Sequence, residues 1–282
     1  MRMLRRLLGK PYRLWVRFTF RLKHKLRRPV VVRVPGADSI CLHSEGQIAS
    51  CIHAGSYEDF ERDLVARHLR QGMTFIDIGA NAGLYSLIAE KIVGPAGRVW
   101  AFEPSRDSYE RLRRNLDLNL ATRVKTVKLA LSCKDDESLI LLREKGQLDG
   151  ERYLAPRNSP PADPADTENV TTITLDSFCR REGIGSVDFI KMDVEGGEYD
   201  VLRGARDTLS ANPSLVMVFE HTREGCSRAG STPVAIAELL AQHGFHLYAP
   251  DPKRKIWDSD HDYILSQGNA WAAANSASLP AL

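Results

Sequence analysis

No run of 18 or more apolar residues occurs in the 282-residue chain, so it offers no ordinary membrane-crossing helix. The N-terminus also lacks the uninterrupted apolar core and small-residue cleavage site of a secretory signal. Its five cysteines are an odd, scattered set without a C-x-x-C pair, which argues against a disulfide framework and a zinc knuckle. A reducing, cytoplasmic setting is therefore expected. Gly and Pro, at 20 and 14 residues, show no repeat, which excludes a collagen-like chain.

Acidic residues are missing from the first 33 positions, which hold 12 Lys and Arg. The net charge of +3 hides this asymmetry, because the remainder carries 27 basic against 36 acidic residues, a net of −9. An acidic body is a poor nucleic-acid binder, and none is expected as a partner. In the arm, residues 1–33, Leu, Phe and Trp interleave with the cations, and Pro11 interrupts any single helix. Residues 1–28 suit peripheral contact with an anionic membrane surface. A solubilising tail, a helix packed on the body and an organelle transit peptide are the other readings.

Residues 34–55 are expected to form a small β-element, and 56–266 the main domain. Short β-prone runs, Val30 to Val34, Ser39 to Leu42 and Ile48 to Ile52, support the former. Ser56-Tyr57-Glu58-Asp59 resembles a capping box before a helix with Phe60, Leu64, Val65 and Leu69 on one face. From Thr74 strand-like and helix-like periods alternate, and runs such as Val187 to Ile190 and Leu215 to Phe219 are almost continuously apolar. Strands of that kind are covered on both faces, which predicts an α/β fold with a doubly wound, mostly parallel sheet. Phe245 to Leu265 predicts an antiparallel hairpin at the sheet edge. Residues 144–169, rich in Pro, read as a flexible loop, and 267–282 as a disordered tail.

Thr74 to Gly83 reads as a buried strand, a glycine-punctuated turn and a helix start. Glycines at 79 and 83 would allow close backbone approach to a ligand. A dinucleotide motif G-x-G-x-x-G would need glycines at 81 and 84, where the chain has Asn81 and Leu84. A nucleoside ligand without a pyrophosphate is favoured over a nicotinamide cofactor. Twenty residues beyond Gly83, Glu103 ends the next strand, the place of an acid that accepts both ribose hydroxyls.

These motifs, with Phe102-Glu103-Pro104, Leu175-Asp176 and Ile190-Lys191-Met192-Asp193-Val194-Glu195-Gly196-Gly197-Glu198-Tyr199, closely resemble the FkbM-like methyltransferases. The resemblance spans about residues 50–250. It implies a Rossmann-like seven-stranded sheet, the class I methyltransferase fold. It implies S-adenosyl-L-methionine as cofactor, lined by Asp77, Gly79, Asn81, Gly83 and Glu103. It also implies O-methylation of a small-molecule or glycan acceptor, a sugar or polyketide-like hydroxyl.

Asp193 and Glu195 sit where a parallel strand ends, and ligands bind at such edges. Asp193 is the candidate to hold the cofactor's amine or orient the nucleophile. His221, after the following strand, is the candidate general base, with Glu220 and Glu195 as alternatives. Glu198 is expected to cap the next helix. No metal is expected. A non-catalytic binding module recruited to membranes is the competing reading, opposed by the intact Asp77, Glu103 and Asp193.

Overall fold

The computed structural model describes residues 58–143, 152–155, 167–274 and 276–282, with 28–33, 39–42 and isolated positions from 18 to 26 before them. Most of the basic arm, the run Ile48 to Ile52, the residues Ser56-Tyr57 and most of the Pro-rich segment lie outside the described residues.

The chain opens with strands β1 (Val30–Arg33) and β2 (Ser39–Leu42), an antiparallel pair. Helix α1 (Asp59–His68) leads to β3 (Thr74–Ile78), α2 (Leu84–Val93), β4 (Arg98–Phe102), α3 (Arg106–Leu118) and β5 (Val124–Val127). Four strands then leave the main sheet, β6 (Ala130–Leu131), β7 (Ser138–Arg143), β8 (Arg152–Leu154) and β9 (Thr167–Ile173). The second half runs α4 (Leu175–Glu182), β10 (Phe189–Met192), α5 (Glu198–Arg203), α6 (Arg206–Ala211), β11 (Val216–Glu220), α7 (Arg223–Arg228) and α8 (Pro233–Gln242). It closes with β12 (His246–Asp251), β13 (Ile256–Asp258), α9 (His261–Gln267) and β14 (Asn269–Ala273).

The main sheet has the order β13-β12-β14-β11-β10-β3-β4-β5. Its strands β11, β10, β3, β4 and β5 are parallel, and β14 and β12 are antiparallel. This is the expected seven-stranded α/β sheet, with β13 added by a hairpin at the edge. Every residue of β3 is buried, as a central strand between two helical layers demands. One core lies against α2, α3 and α1, and the other against α4, α5 and α8.

The residues expected as a disordered tail supply β14, which lies between β11 and β12. Trp271 in β14 is fully buried and packs on Phe189 and Trp257. Ala-rich composition suggested disorder, but small side chains suit a strand pressed between neighbours. Tyr263 to Leu265, expected as a strand, are helical. Asp260 caps that helix by accepting from the Tyr263 amide, and Gly268, with φ 79°, ends it. Glu198 to Leu209 breaks into α5 and α6 at Gly204, where a Cβ would lie 2.2 Å from the Ser132 carbonyl. The segment expected as one flexible loop contains β8 and the start of β9, which with β6 and β7 make a four-stranded sheet. The small β-element begins at Val30 rather than residue 34, and Val30, Ile40 and Leu42 join the main core.

Candidate active site

An open cleft lies at the carboxyl edge of β3, β4 and β10. Its floor is the turn after β3. The Gly79 and Ala80 amides both donate to the Phe102 carbonyl at 2.9 Å, so the turn is fastened to β4. Asn81 adopts a left-handed φ of 46°, tolerable for Asn, and its side chain accepts from Arg111.

The reason for glycine at 79 is internal. A Cβ there would lie 1.8 Å from the Asp193 carbonyl oxygen, so the absent side chain lets the turns after β3 and β10 cross. Gly83 faces Leu112 of α3, 2.5 Å from where its Cβ would be, and does not line the cleft. The lack of a side chain there is needed for the packing of α3.

Glu103 lines the cleft and is almost wholly buried. Its Oε2 accepts from the Asn81 amide at 2.8 Å and its Oε1 from the Ser105 amide at 2.9 Å. Burial pushes its carboxyl up to about 7, against those two amides and the nearby Arg111 and Arg152. Each carboxylate oxygen retains capacity for a further donor.

Asp77 is buried beside the site rather than in its lining. Its Oδ2 accepts from the Ser86 hydroxyl at 2.6 Å, and burial raises its pKa, opposed by Lys191. Lys191 stands next to it in the sheet register and reaches into the cleft. Its Nζ donates to Asp193 Oδ2 at 3.1 Å and lies 5.0 Å from the centre of the Tyr85 ring.

Asp193 and Glu195 both line the cleft. The turn that carries them is strained at Glu195, a non-glycine residue at φ 56°, and Gly196 follows at φ 108°. Glu198 holds it from behind, its Oε1 accepting from the Val194 and Gly196 amides. Burial, with Glu220 and Asp193 nearby, pushes Glu198 up to about 7. It therefore serves the turn before its helix more than the helix end.

His221 is not brought to the cleft. It is fully buried, stacks edge-on to Phe219 and His261, and neither ring nitrogen finds a partner among the described residues. Burial lowers its pKa to about 4. The expectation of a base at this position ignored that the chain after β11 turns back under α9, where the His221 amide donates to the Gly268 carbonyl.

The four-stranded sheet covers the other end of the cleft through Leu141, Leu154 and Arg152. Arg152 is held by Asp107 at 2.9 Å and Glu168 at 3.4 Å. These residues escaped sequence reasoning because they flank or lie within a long segment with no helical or strand period, although Leu139 to Leu142 is a β-prone run. Among the described residues no group of three or more His, Cys, Asp or Glu is placed to hold a metal, and no helix is long and apolar enough to cross a membrane.

The profile of the methyltransferase FkbM domain matches residues 77–247. The chain is 24% identical over 219 residues to the hexuronic acid methyltransferase AglP of Haloferax volcanii, covering 77% of this chain and 82% of that protein. It is 31% identical over 154 residues to the methyltransferase sdnD of Sordaria araneosa, covering 46% of this chain and 59% of that one. It also matches the AMB antimetabolite synthetase AmbE of Pseudomonas aeruginosa at 29% identity over 61% of this chain, spanning 9% of that protein. The solved structure of methyltransferase FkbM from Methylobacillus flagellatus aligns with a TM-score of 0.44 at 15% identity, over 90% of this chain and 57% of that one. A match across more than half the chain, which includes the turn after β3 and the strand ends that form the cleft, places this protein in the FkbM family of S-adenosylmethionine-dependent methyltransferases.

Proposed function

We propose that the protein transfers a methyl group from S-adenosylmethionine to a hydroxyl of a sugar or polyketide-like acceptor. The observation that carries this reading is a single cleft with a buried carboxylate, Glu103, and apolar walls toward one end, and with Lys191, Asp193 and Glu195 also in its lining. That donor set fits the cofactor. Glu103 is the acceptor for the ribose hydroxyls, and Leu129, Leu131, Leu141 and Leu154 offer apolar walls for a flat base. Asn81 and the open backbone of the turn face the amino-acid portion, and Asp193 takes its ammonium. When bound, the cofactor supplies a methyl group activated on a sulfonium. The protein's part is to hold the reacting atoms in line, which accounts for about 7–11 kcal/mol in favourable models. A sugar acceptor is supported by the hexuronic acid methyltransferase, and an oxygen acceptor by the similarity to the 2-O-methyltransferase NoeI of Sinorhizobium fredii, 45% identical over 42 residues.

Thermal unfolding with candidate cofactors tests the reading, since a ligand that binds the folded state raises its midpoint. S-adenosylmethionine and S-adenosylhomocysteine should raise it and NADH should not. A shift with NADH alone would defeat the proposal.

A further inference from the structure

Among the described residues two cations line the cleft, Arg152 and Lys191, against the carboxylates of Glu103, Asp193 and Glu195. Arg152 is held by Asp107 and Glu168 near Glu103, whereas Lys191 lies in β10, in register with Asp77 of β3. For a lysine it is deeply set, with 12% of its side chain exposed. Asp193 Oδ2 accepts from its ammonium at 3.1 Å, and the centre of the Tyr85 ring lies 5.0 Å away. Tyr85 is itself fixed, its hydroxyl donating to Glu58 Oε2 at 2.8 Å. The turn after β3 abuts the pair, because a Cβ on Gly79 would lie 1.8 Å from the Asp193 carbonyl oxygen. A positive and a negative charge are thus set side by side in the wall of the cleft, with little rotamer freedom left to lose on binding.

We propose that this ion pair receives the amino-acid end of the cofactor, Lys191 binding its carboxylate and Asp193 its ammonium. The inference rests on the methyltransferase reading and adds a binding residue and a specificity to it: the cleft selects a ligand that carries both charges. An α-amino acid bears its ammonium and carboxylate on one carbon, so it presents two opposite charges side by side, as the pair does. Each ligand charge then meets a partner of opposite sign, and charge-assisted hydrogen bonds are the strong ones. Lysine suits the task, because a compact ammonium with three donors can serve Asp193 and a ligand carboxylate together. Without Lys191 the lining would hold three carboxylates against the paired Arg152, so a ligand carboxylate would meet net repulsion while a lone amine would be attracted. The competing role is structural. Lys191 also lies in the field of the buried Asp77 and Glu61, and holds both carboxyls lower than burial alone would. A lysine that only neutralised those acids would not tell a ligand with a carboxylate from one without.

Titration calorimetry on the full chain separates the two roles, using S-adenosylhomocysteine and its decarboxylated analogue, whose thioether chain ends in a primary amine. Wild type should bind S-adenosylhomocysteine at least tenfold more tightly than the analogue, the scale of a hydrogen bond between charged groups. Lys191→Met should weaken S-adenosylhomocysteine at least tenfold and leave the analogue within threefold or improve it, so that the preference is abolished or reversed. Asp193→Asn, which removes the partner of the ammonium, should weaken both ligands. Equal wild-type affinities, or a Lys191→Met that weakens both ligands alike or neither, would overturn the proposal, as would an Asp193→Asn that binds both as wild type does. If Lys191→Met does not fold, Lys191→Gln takes its place, and if neither folds the wild-type ratio alone decides. Failure of the folded wild type to bind S-adenosylhomocysteine defeats the methyltransferase reading, whereas binding that ignores the carboxylate defeats this inference alone.

Discussion

Replacing His221 by Leu should stabilise the protein, and more so in acid. The ring is fully buried, and neither nitrogen has a partner among the described residues. In the unfolded chain the imidazole protonates near its ordinary value of 6.5, whereas burial holds it neutral in the fold down to about 4. As pH falls through 6.5 the unfolded state therefore gains a proton that the native state refuses, and stability is lost until about pH 4. At pH 5 the unfolded group is 1.5 units below its midpoint, so the native state is disfavoured by about 2 kcal/mol at about 1.4 kcal/mol per unit. At pH 8 this contribution vanishes, leaving only the unpaired ring nitrogens, about 1 kcal/mol against the wild type. Raised carboxyls elsewhere titrate in the opposite sense, so the difference between variant and wild type is the quantity to follow. Urea unfolding at pH 8 and pH 5 should show the advantage of His221→Leu growing by about 2 kcal/mol, about 4 °C in thermal midpoint. A pH-independent difference would show that the ring is solvated or paired, and the reasoning from burial would fail. A methyl-transfer rate reduced 10²-fold in a stable His221→Leu would return the histidine to the chemistry.

Gly79→Ala places a Cβ 1.8 Å from the Asp193 carbonyl at a φ of 76°, and should cost about 2–4 kcal/mol in denaturant unfolding; a neutral result would mean the two turns part easily. Glu103→Gln should weaken S-adenosylhomocysteine by about 1.5–3 kcal/mol in calorimetry, the scale of a hydrogen bond to a charged group. The wild-type affinity should decline as pH falls below about 7, because hydroxyl donors favour the ionised Glu103 and its pKa is raised to that value. Trp271→Ala should lose about 3–5 kcal/mol, as expected for a large aromatic with no exposed surface; survival of full stability would restore the view of a dispensable tail.

What was legible in the sequence was the part written in periodicity. The apolar runs of β3, β10 and β11 gave the parallel sheet, and the ends of β4 and β10 gave Glu103, Asp193 and Glu195 as neighbours of one cleft. Misreadings arose where a residue's partner is distant in the chain. Gly79 lines the cleft as expected of a glycine there, but a second need for it, the close Asp193 carbonyl, comes from 114 residues away. His221 follows a strand end, as Asp193 does, but the direction of the chain after β11 buries it. Glu61 lies on the amphipathic helix α1, and nothing local reveals that Asn269 will be brought beside it. The sheet that supplies Arg152 and Leu154 is split by long segments whose composition argues for a loop. Asp260 and Gly268 did announce a helix, and weighing those caps above the β-prone Tyr263 to Leu265 would have recovered it.

The position of β14 also governs the order in which the chain is assembled during synthesis. β12 and β13 are made before β14, yet β14 lies between them and β11 in the sheet. Until residues 269–273 have left the ribosome, the edge of β11 that they cover is an open strand edge, and the finished β12–β13 hairpin has no place to dock. The core containing Phe189 is likewise open until Trp271 arrives. The nascent chain thus carries an exposed apolar sheet edge from the completion of β11 until β14 arrives, the condition in which another strand-rich chain can pair with it. An early stop that removes only the last fourteen residues discards the strand that seals the sheet, and the product is expected to be a substrate for chaperones rather than a slightly shorter enzyme.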